Sequence, residues 1–525
     1  MQRWMKYGAG LLWCAALSAA TWAAPSVARG VVYHDTNHNA VRDAGEAGVP
    51  DVRVSNGRDV VVTAADGTYE LPVDGDATLF VIKPRDWMTP VGEHNLPRFY
   101  YIHRPSGSPA YKYPGVAPTG PLPTSVDFAL YPQPEPERFR VLLFGDTQPA
   151  TQAQVDYLAH DVVEQVIGTE AALGVTLGDL VYDKLDLFEP YVRVIAHAAV
   201  PWYNVPGNHD ANHDAPDDDT SLESFQRVFG PPYYAFEYGP VHFVVLDDVL
   251  WEGQTKRKGG SYRAGLGARQ LEFLRNDLKH VPRDRLVVLL MHIPIVEIEE
   301  RAALYALLAE RPHVISFSAH QHTVRHWFLG EHDGWPGAEP HHHVTLATAC
   351  GSWWYGAPDE LGIPHATMAD GGPNGWYVAT FEGTRHTLTF YPARRPADYQ
   401  MNIYAPEEVP AAQAAQTEVL VNVFAGSERS TVEMRFDGGP WTRLERVERE
   451  DPYFAALKAA EQAECPPPGH KLPKIEKTGH MWLGHLPADA RPGTRLIEVR
   501  TTDVYGQTWT GRRLVRVLPI PADQP

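Results

Sequence analysis

Five short segments in the middle of this chain each place Asp, Asn, Gln or His directly after, or very near, an apolar run. They are Phe144-Gly145-Asp146-Thr147-Gln148, Leu177-Gly178-Asp179-Leu180-Val181-Tyr182-Asp183, Val205-Pro206-Gly207-Asn208-His209-Asp210, Met291-His292-Ile293-Pro294 and Ser318-Ala319-His320-Gln321-His322. Apolar runs such as Val141-Leu142-Leu143-Phe144 and Leu286-Val287-Val288-Leu289-Leu290 read as buried strands. They alternate with helix-like stretches, Ala153 to Ile167 and Leu266 to Lys279, so Phe139 to about Pro392 reads as a layered α/β domain. Polar residues at strand ends converge on one mouth of such a sheet, which is where α/β folds place their sites.

The gathered donors are two carboxylates (Asp146, Asp179), two amides (Gln148, Asn208) and three imidazoles (His292, His320, His322), with His209 left over. That mixture of nitrogen and oxygen without thiolate suits two divalent ions such as Mn, Fe or Zn rather than calcium. Singly each segment is ordinary: a His after a strand is more often a satisfied core or surface residue, and Gly-Asp is common in turns. Their order matches the pattern D-x-H, G-D, G-N-H-[DE], a lone strand-end His, then G-H-x-H. On those motifs the stretch resembles the calcineurin-like metallophosphoesterase superfamily, over close to half of the chain.

The resemblance implies an α/β/β/α-type layered sandwich and a binuclear metal centre. Asp146, Gln148, Asp179 and His322 would hold one ion, and Asp179, Asn208, His292 and His320 the other, with Asp179 bridging. A shared carboxylate offsets the repulsion between two dications held about 4 Å apart. Such a pair polarises phosphoryl oxygens and yields hydroxide for in-line attack at neutral pH. His209 would protonate the leaving oxygen or stabilise transition-state charge, and either Asp210 or Asp183 would orient it. Two positions depart from the family pattern. Gln148 stands where His is commoner, which weakens one metal site, and Ala319 replaces the usual Gly before His320.

On either side the periodicity changes to short alternating runs broken by turn residues, which predicts a small all-β domain at each flank. The expected organisation is an export signal over 1–23, an N-terminal β-sandwich-like domain over 28–131, the phosphoesterase domain over 137–392 and a C-terminal β-sandwich over 415–520. The three-part layout is similar to an exported bacterial subgroup of the superfamily. Arg3 and Lys6, the apolar stretch Gly8 to Ala20 and the small residues after it read as the secretory signal, so the protein is expected in the periplasm or secreted. No later run is long enough to span a membrane. Cys350 and Cys465 would then lie in an oxidising compartment, paired or free.

The charge balance, 46 Lys+Arg against 65 Asp+Glu with the cations dispersed, argues against duplex nucleic acid as a partner. The expected partner is a small phosphorylated substrate. In the first flank, Asp35, Asn37, Asn39, Val41 (by its carbonyl), Asp43 and Glu46 fall at the spacing of a calcium loop, with Ala40 where Gly is usual. The alternatives are a structural Ca site and an ordinary Asx-rich turn. Trp353, Trp354 and Asn374 lie in aromatic and Gly-rich stretches that could wall a substrate pocket, or else plug a domain interface. His341-His342-His343 reads as structural, because neighbours on a strand face opposite ways. The leading reading is thus an exported hydrolase of phosphoric mono- or diesters. The competing one is a catalytically weak or inactive metal-binding envelope protein that uses its β domains for binding.

Overall fold

The structure, a computed structural model, describes residues 26–254 and 261–520; the expected signal over 1–23 lies outside the described residues. Two sheets face each other at the centre. One runs in the order Trp202–Val205, Leu173–Leu177, Arg138–Phe144, Gly375–Glu382, Arg385–Pro392, its first three strands parallel and the last two antiparallel. The other is ordered Tyr234–Tyr238, Val241–Val245, Leu286–Leu290, Val314–Ser318, His341–Thr345, Arg325–Leu329, with its four middle strands parallel. Along Arg138–Phe144 the two-residue period sorts the side chains. Val141 and Leu143 join the core shared with the second sheet, while Leu142 and Phe144 join the helices of the outer layer, Phe188 and Tyr191 among them. Leu286–Leu290 is buried at every position, as expected of a parallel strand covered on both faces. This is the layered α/β arrangement with β regions on both flanks.

The N-terminal region is a pair of four-stranded sheets built from strands between Ser26 and Pro132. Its core is continuous with that of the central domain: Phe80 packs edge-on against Phe273, ring centroids 5.6 Å apart. Buried Arg53 crosses the same boundary to Asp277 at 2.8 Å and Glu237 at 2.6 Å. A buried cation so paired becomes costly as soon as one partner is removed, so the boundary is fixed by charge as well as by packing. The C-terminal region pairs a four-stranded with a five-stranded sheet around a separate core that includes Val421, Trp482, Ile497 and Val517. Its helix Pro452–Ala460 starts at Asp451, whose Oδ1 accepts from Phe454 N at 2.7 Å, with Pro452 in the first turn where no donor is needed. No helix among the described residues is long and apolar enough to cross a membrane. Cys350 is buried and Cys465 exposed, and both are free thiols.

The strand His341–Thr345 splits its histidines between two faces. His341 Nε2 and His343 Nδ1 each meet Ser316 Oγ at 2.7 Å, whereas His342 Nε2 meets His326 Nδ1 at 2.9 Å on the other side. Burial holds His341 down to about 3 and His343 well below the usual imidazole range. These rings are neutral in the fold and take up protons more readily once unfolded. The stability they confer is complete above about pH 6.5 and is lost as pH falls toward their folded-state values, by about 1.4 kcal/mol per pH unit for each ring. Buried Asp248 and Asp210, raised to about 7 and about 8, act in the opposite sense, so the wild-type thermal midpoint should fall between pH 6.5 and 5 more steeply than that of a His341→Gln variant. Equal slopes in the two proteins would contradict this reading.

Candidate metal centre

The parallel strands of both sheets end at one edge, and the five polar segments follow five of those ends. Arg138–Phe144 delivers Asp146, Leu173–Leu177 delivers Asp179, and Trp202–Val205 delivers Asn208. Leu286–Leu290 and Val314–Ser318 deliver His292 and His320 from the opposing sheet. Tight turning is needed to aim side chains back across the edge. Gln148, Asp179, His320 and His322 accordingly adopt left-handed backbone, with φ of 37°, 50°, 66° and 52°. Such residues cost about 1 kcal/mol or more each and persist only where their surroundings fix them. Gly207 is required by closeness: a Cβ there would collide with Asp179 N and Oδ1. Gly207→Ala should displace Asp179 and reduce metal uptake in a protein that still folds, which metal titration with circular dichroism checks; wild-type uptake would contradict it.

Asp179, His292 and His320 bring three ligand atoms within 4.8 Å of one another, and this is the one such His/Cys/Asp/Glu group among the described residues. His292 Nε2 lies 3.3 Å from Asp179 Oδ1, 3.2 Å from Asn208 Oδ1 and 3.0 Å from His320 Nδ1. Its Nδ1 is taken by Leu177 O at 2.9 Å, so Nε2 is the nitrogen presented to the cluster. On the other side His322 Nε2 lies 3.1 Å from Asp146 Oδ2, and His322 Nδ1 meets Gly351 O. Burial alone would depress His292, but the carboxylates of Asp179 and Asp146 outweigh it and raise the ring to about 10. Burial and the neighbouring His292 push His320 down to about 4. The two facing imidazoles are thus pushed in opposite directions, one by the carboxylates and the other by burial and its neighbour.

The residues fit a metal pair. Asp146 Oδ2 is buried and accepts no hydrogen bond although His322 Nε2 lies 3.1 Å away, and imidazole nitrogens of His292 and His320 face each other beside a carboxylate. Both are what a cation between them would satisfy. Gln148 is close but differently engaged. Its Nε2 donates to Asp179 Oδ2 at 2.6 Å and its Oε1 faces Cys350 Sγ at 3.5 Å, so it would ligate only after turning its amide over. Ala319, in place of Gly, is accommodated because residue 145 opposite is Gly: a Cβ there would lie 3.1 Å from that of Ala319.

His209 stands beside the cluster. Its backbone N donates to Asp179 Oδ1 at 2.9 Å, Nδ1 meets Asp183 Oδ1 at 2.5 Å, and its ring stacks on Tyr182 at 4.3 Å. Of the two carboxylates considered as its orienter, Asp183 is the one in contact. Asp210 turns away: its oxygens accept from Gly207 N at 2.8 Å, Leu180 N at 3.1 Å and Val181 N at 3.2 Å, tying two of the metal-bearing turns together. Burial opposes a charge on His209, but Asp179 and Asp183 prevail and raise it above its usual value.

Of the three pocket candidates only Trp353 reaches the centre, stacking on His322 at 4.1 Å. Trp354 is 1% exposed and its Nε1 donates to Thr147 O at 2.9 Å, so it supports a ligand turn from below. Asn374 is buried and tied by Nδ2 to Asp161 and to Ala349 O. Trp354 is thus withdrawn from any cleft, whereas Asn374 lines a cavity with Asp161, Asp359, Thr367 and Arg394 that includes none of the ligand residues. In the Asp35 loop, Asp35 accepts from Asn39 N and Ala40 N, Glu46 accepts from Thr36 N and Asp43 N, and Asp43 Oδ2 takes the amides of Asn37 and Asn39. Ala40, where a calcium loop carries Gly, has a φ of 59°. Inward carboxylates and that left-handed turn are shared by an Asx-rich turn and a calcium loop.

The sequence reading overlooked Asp248. It is buried and accepts from His292 N at 3.3 Å and Ile293 N at 2.8 Å, fixing that ligand's main chain. The signal was present: Phe243-Val244-Val245-Leu246-Asp247-Asp248 is another apolar run ending in carboxylates.

Family profiles match three successive stretches of the chain: the N terminal of calcineurin-like phosphoesterase at 35–113, calcineurin-like phosphoesterase at 139–324, and the C terminal of calcineurin-like phosphoesterase at 343–509. Solved structures similar to it include a dimetal phosphatase from Danio rerio, 17% identical, covering 48% of this chain and 95% of its own, with a TM-score of 0.34. A purple acid phosphatase from yellow lupin seeds is 15% identical over 70% of this chain and 71% of its own, with a TM-score of 0.37. No curated protein matches the chain.

Proposed function

The chain belongs to the calcineurin-like phosphoesterases, with that family's N-terminal and C-terminal parts on either side of its catalytic part, and we propose that it hydrolyses phosphoric mono- or diesters with two divalent transition ions. The observation that carries this reading is the convergence of Asp179, Asn208, His292 and His320 in one cluster, with Asp146 and His322 paired beside it. Ions held there would supply Lewis-acid polarisation of the phosphoryl group and a water acidic enough to attack near neutral pH. The chain's own groups do the rest. Asp179 and Asp146 bring the anionic charge that a dication pair needs. His209 would give its Nε2 proton to the leaving oxygen, while Asp183 at Nδ1 stabilises the ring's charge and angle. Asp210 and Asp248 keep the ligand turns in register. Trp353 and Tyr182, stacked on His322 and His209, fix ring orientation at the mouth.

Mn, Fe and Zn all suit the donor set. A role outside the cytoplasm rests on the basic and apolar pattern between Arg3 and Ala23. The substrate class is tested by paired chromogenic aryl phosphates, one monoester and one diester, offered to protein loaded with Mn or Zn. Turnover of at least one, abolished by chelation and restored by metal, is expected. Indifference to chelation would contradict the proposal.

A further inference from the structure

We infer that the C-terminal β domain positions one half of the metal centre: Asp370, held by His480 and Asn422, fixes the main chain that carries His322. The inference rests on the two-metal reading above.

Asp370 lies in the loop between the strands His341–Thr345 and Gly375–Glu382 and is 1% exposed. Its Oδ2 accepts from Val324 N, two residues beyond His322, at 2.7 Å, and its Oδ1 accepts from Gly372 N at 2.9 Å. The same Oδ2 faces His480 Nε2 at 3.2 Å, and the backbone oxygen of Asp370 accepts from Asn422 Nδ2 at 2.8 Å. His480 and Asn422 stand on neighbouring strands of the C-terminal domain, Lys477–His485 and Glu418–Val423. They also hold one another: His480 Nδ1 meets Asn422 Oδ1 at 2.7 Å, and Asn422 Nδ2 donates to Asp451 Oδ2 at 2.9 Å. Every side chain in this relay is buried, so each hydrogen bond lost leaves a partner unsatisfied.

The same loop grips His322 from a second side. Ser352 N donates to Ala366 O at 2.9 Å and Ser352 Oγ to Thr367 O at 2.7 Å, which fixes the turn whose Gly351 O holds His322 Nδ1. His322 needs such support, because its φ of 52° is unfavourable for a residue with a side chain. The relay meets the chain at Val324 N, two residues past His322, whereas His320 is held farther back, its own N donating to Asp146 Oδ1 at 3.0 Å. His292 and Asn208 are held from within the central domain, by Asp248 and by the turn at Gly207. Loosening the relay should therefore empty the site formed by Asp146, Gln148, Asp179 and His322 while sparing the other. That site also needs Gln148 to turn its amide over before its oxygen can ligate.

The test is calorimetric titration of manganese into chelator-treated full-length wild type, Asp370→Asn, His480→Gln and Gln507→Ala. Gln507 makes a different contact between the same domains, with Thr389 Oγ1 and Leu388 O, and serves as the control. Wild type and Gln507→Ala should take up two ions. Asp370→Asn sets an amide donor against one of two N–H groups, so it should take up one ion tightly and the second roughly 10–100-fold more weakly. His480→Gln should shift in the same direction, and it carries the test if Asp370→Asn fails to fold. Uptake of two ions at wild-type affinity by the folded relay variants would overturn this inference alone, as would an equal loss in Gln507→Ala. A wild type that takes up no pair of ions would overturn the metal reading and this inference with it.

Discussion

Asp179→Ala should leave no turnover of any phosphoester above background and should remove both metal sites together. No other ligand occupies its position: Asp179 touches His292, Gln148 and the backbone N of His209, and so reaches ligands delivered by both sheets. Its carboxylate is held ionised against burial by His292 and His209, lying well below the usual range. Without that charge, two dications would have no shared anion between them. Truncation also strands the N–H groups that the carboxylate accepts, at a cost of about 1–3 kcal/mol for each unsatisfied group. Asp179→Asn separates the two effects. It keeps an acceptor oxygen and the fold but not the charge, so it should retain a wild-type circular dichroism spectrum with metal uptake and turnover lost. An active Asp179→Asn protein would show that the bridging charge is dispensable.

His209→Ala should lower kcat by roughly 10²–10⁴-fold, the range for a positioned general acid, with metal stoichiometry preserved. The ring is outside the converging ligand atoms, and its contact to Asp179 is made through the backbone, which Ala keeps. Asp183→Asn should cost less, about 10–100-fold, because it disturbs the orientation and charge of the ring without removing it. Substrates whose leaving group departs without protonation, such as nitrophenyl esters, should be affected less than alkyl esters in both variants. Equal loss across leaving groups would indicate that His209 stabilises charge on the phosphoryl oxygens instead.

The site was legible in the sequence because its grammar is local: each ligand follows its own strand, and an apolar run ending in Asp, Asn or His shows both facts in one line. Asp248 obeys the same grammar and was available to be read. What the sequence could not resolve were choices made across the fold. Asp183 and Asp210 close the second and third segments, and neither position along the chain tells which carboxylate meets the His209 ring. Only the turn at Gly207, which spends Asp210 on three backbone N–H groups, leaves Asp183 to His209. Trp354 looks like a cleft residue by composition, yet its Nε1 is consumed by Thr147 O, a partner far away in the chain. The flanking β regions were visible as period-two runs. Their joining to the centre was not, because Arg53–Asp277 and His480–Asp370 are pairings over long sequence separations that leave no periodic trace.

The most direct test is to strip the full-length protein with chelator, add manganese or zinc back in measured equivalents, and follow hydrolysis of an aryl phosphoester alongside bound metal. Activity absent from the stripped protein, and rising to its plateau as the second equivalent binds, is the predicted result. Undiminished hydrolysis by protein shown to be metal-free, or two bound ions with no turnover of either monoester or diester, would contradict it.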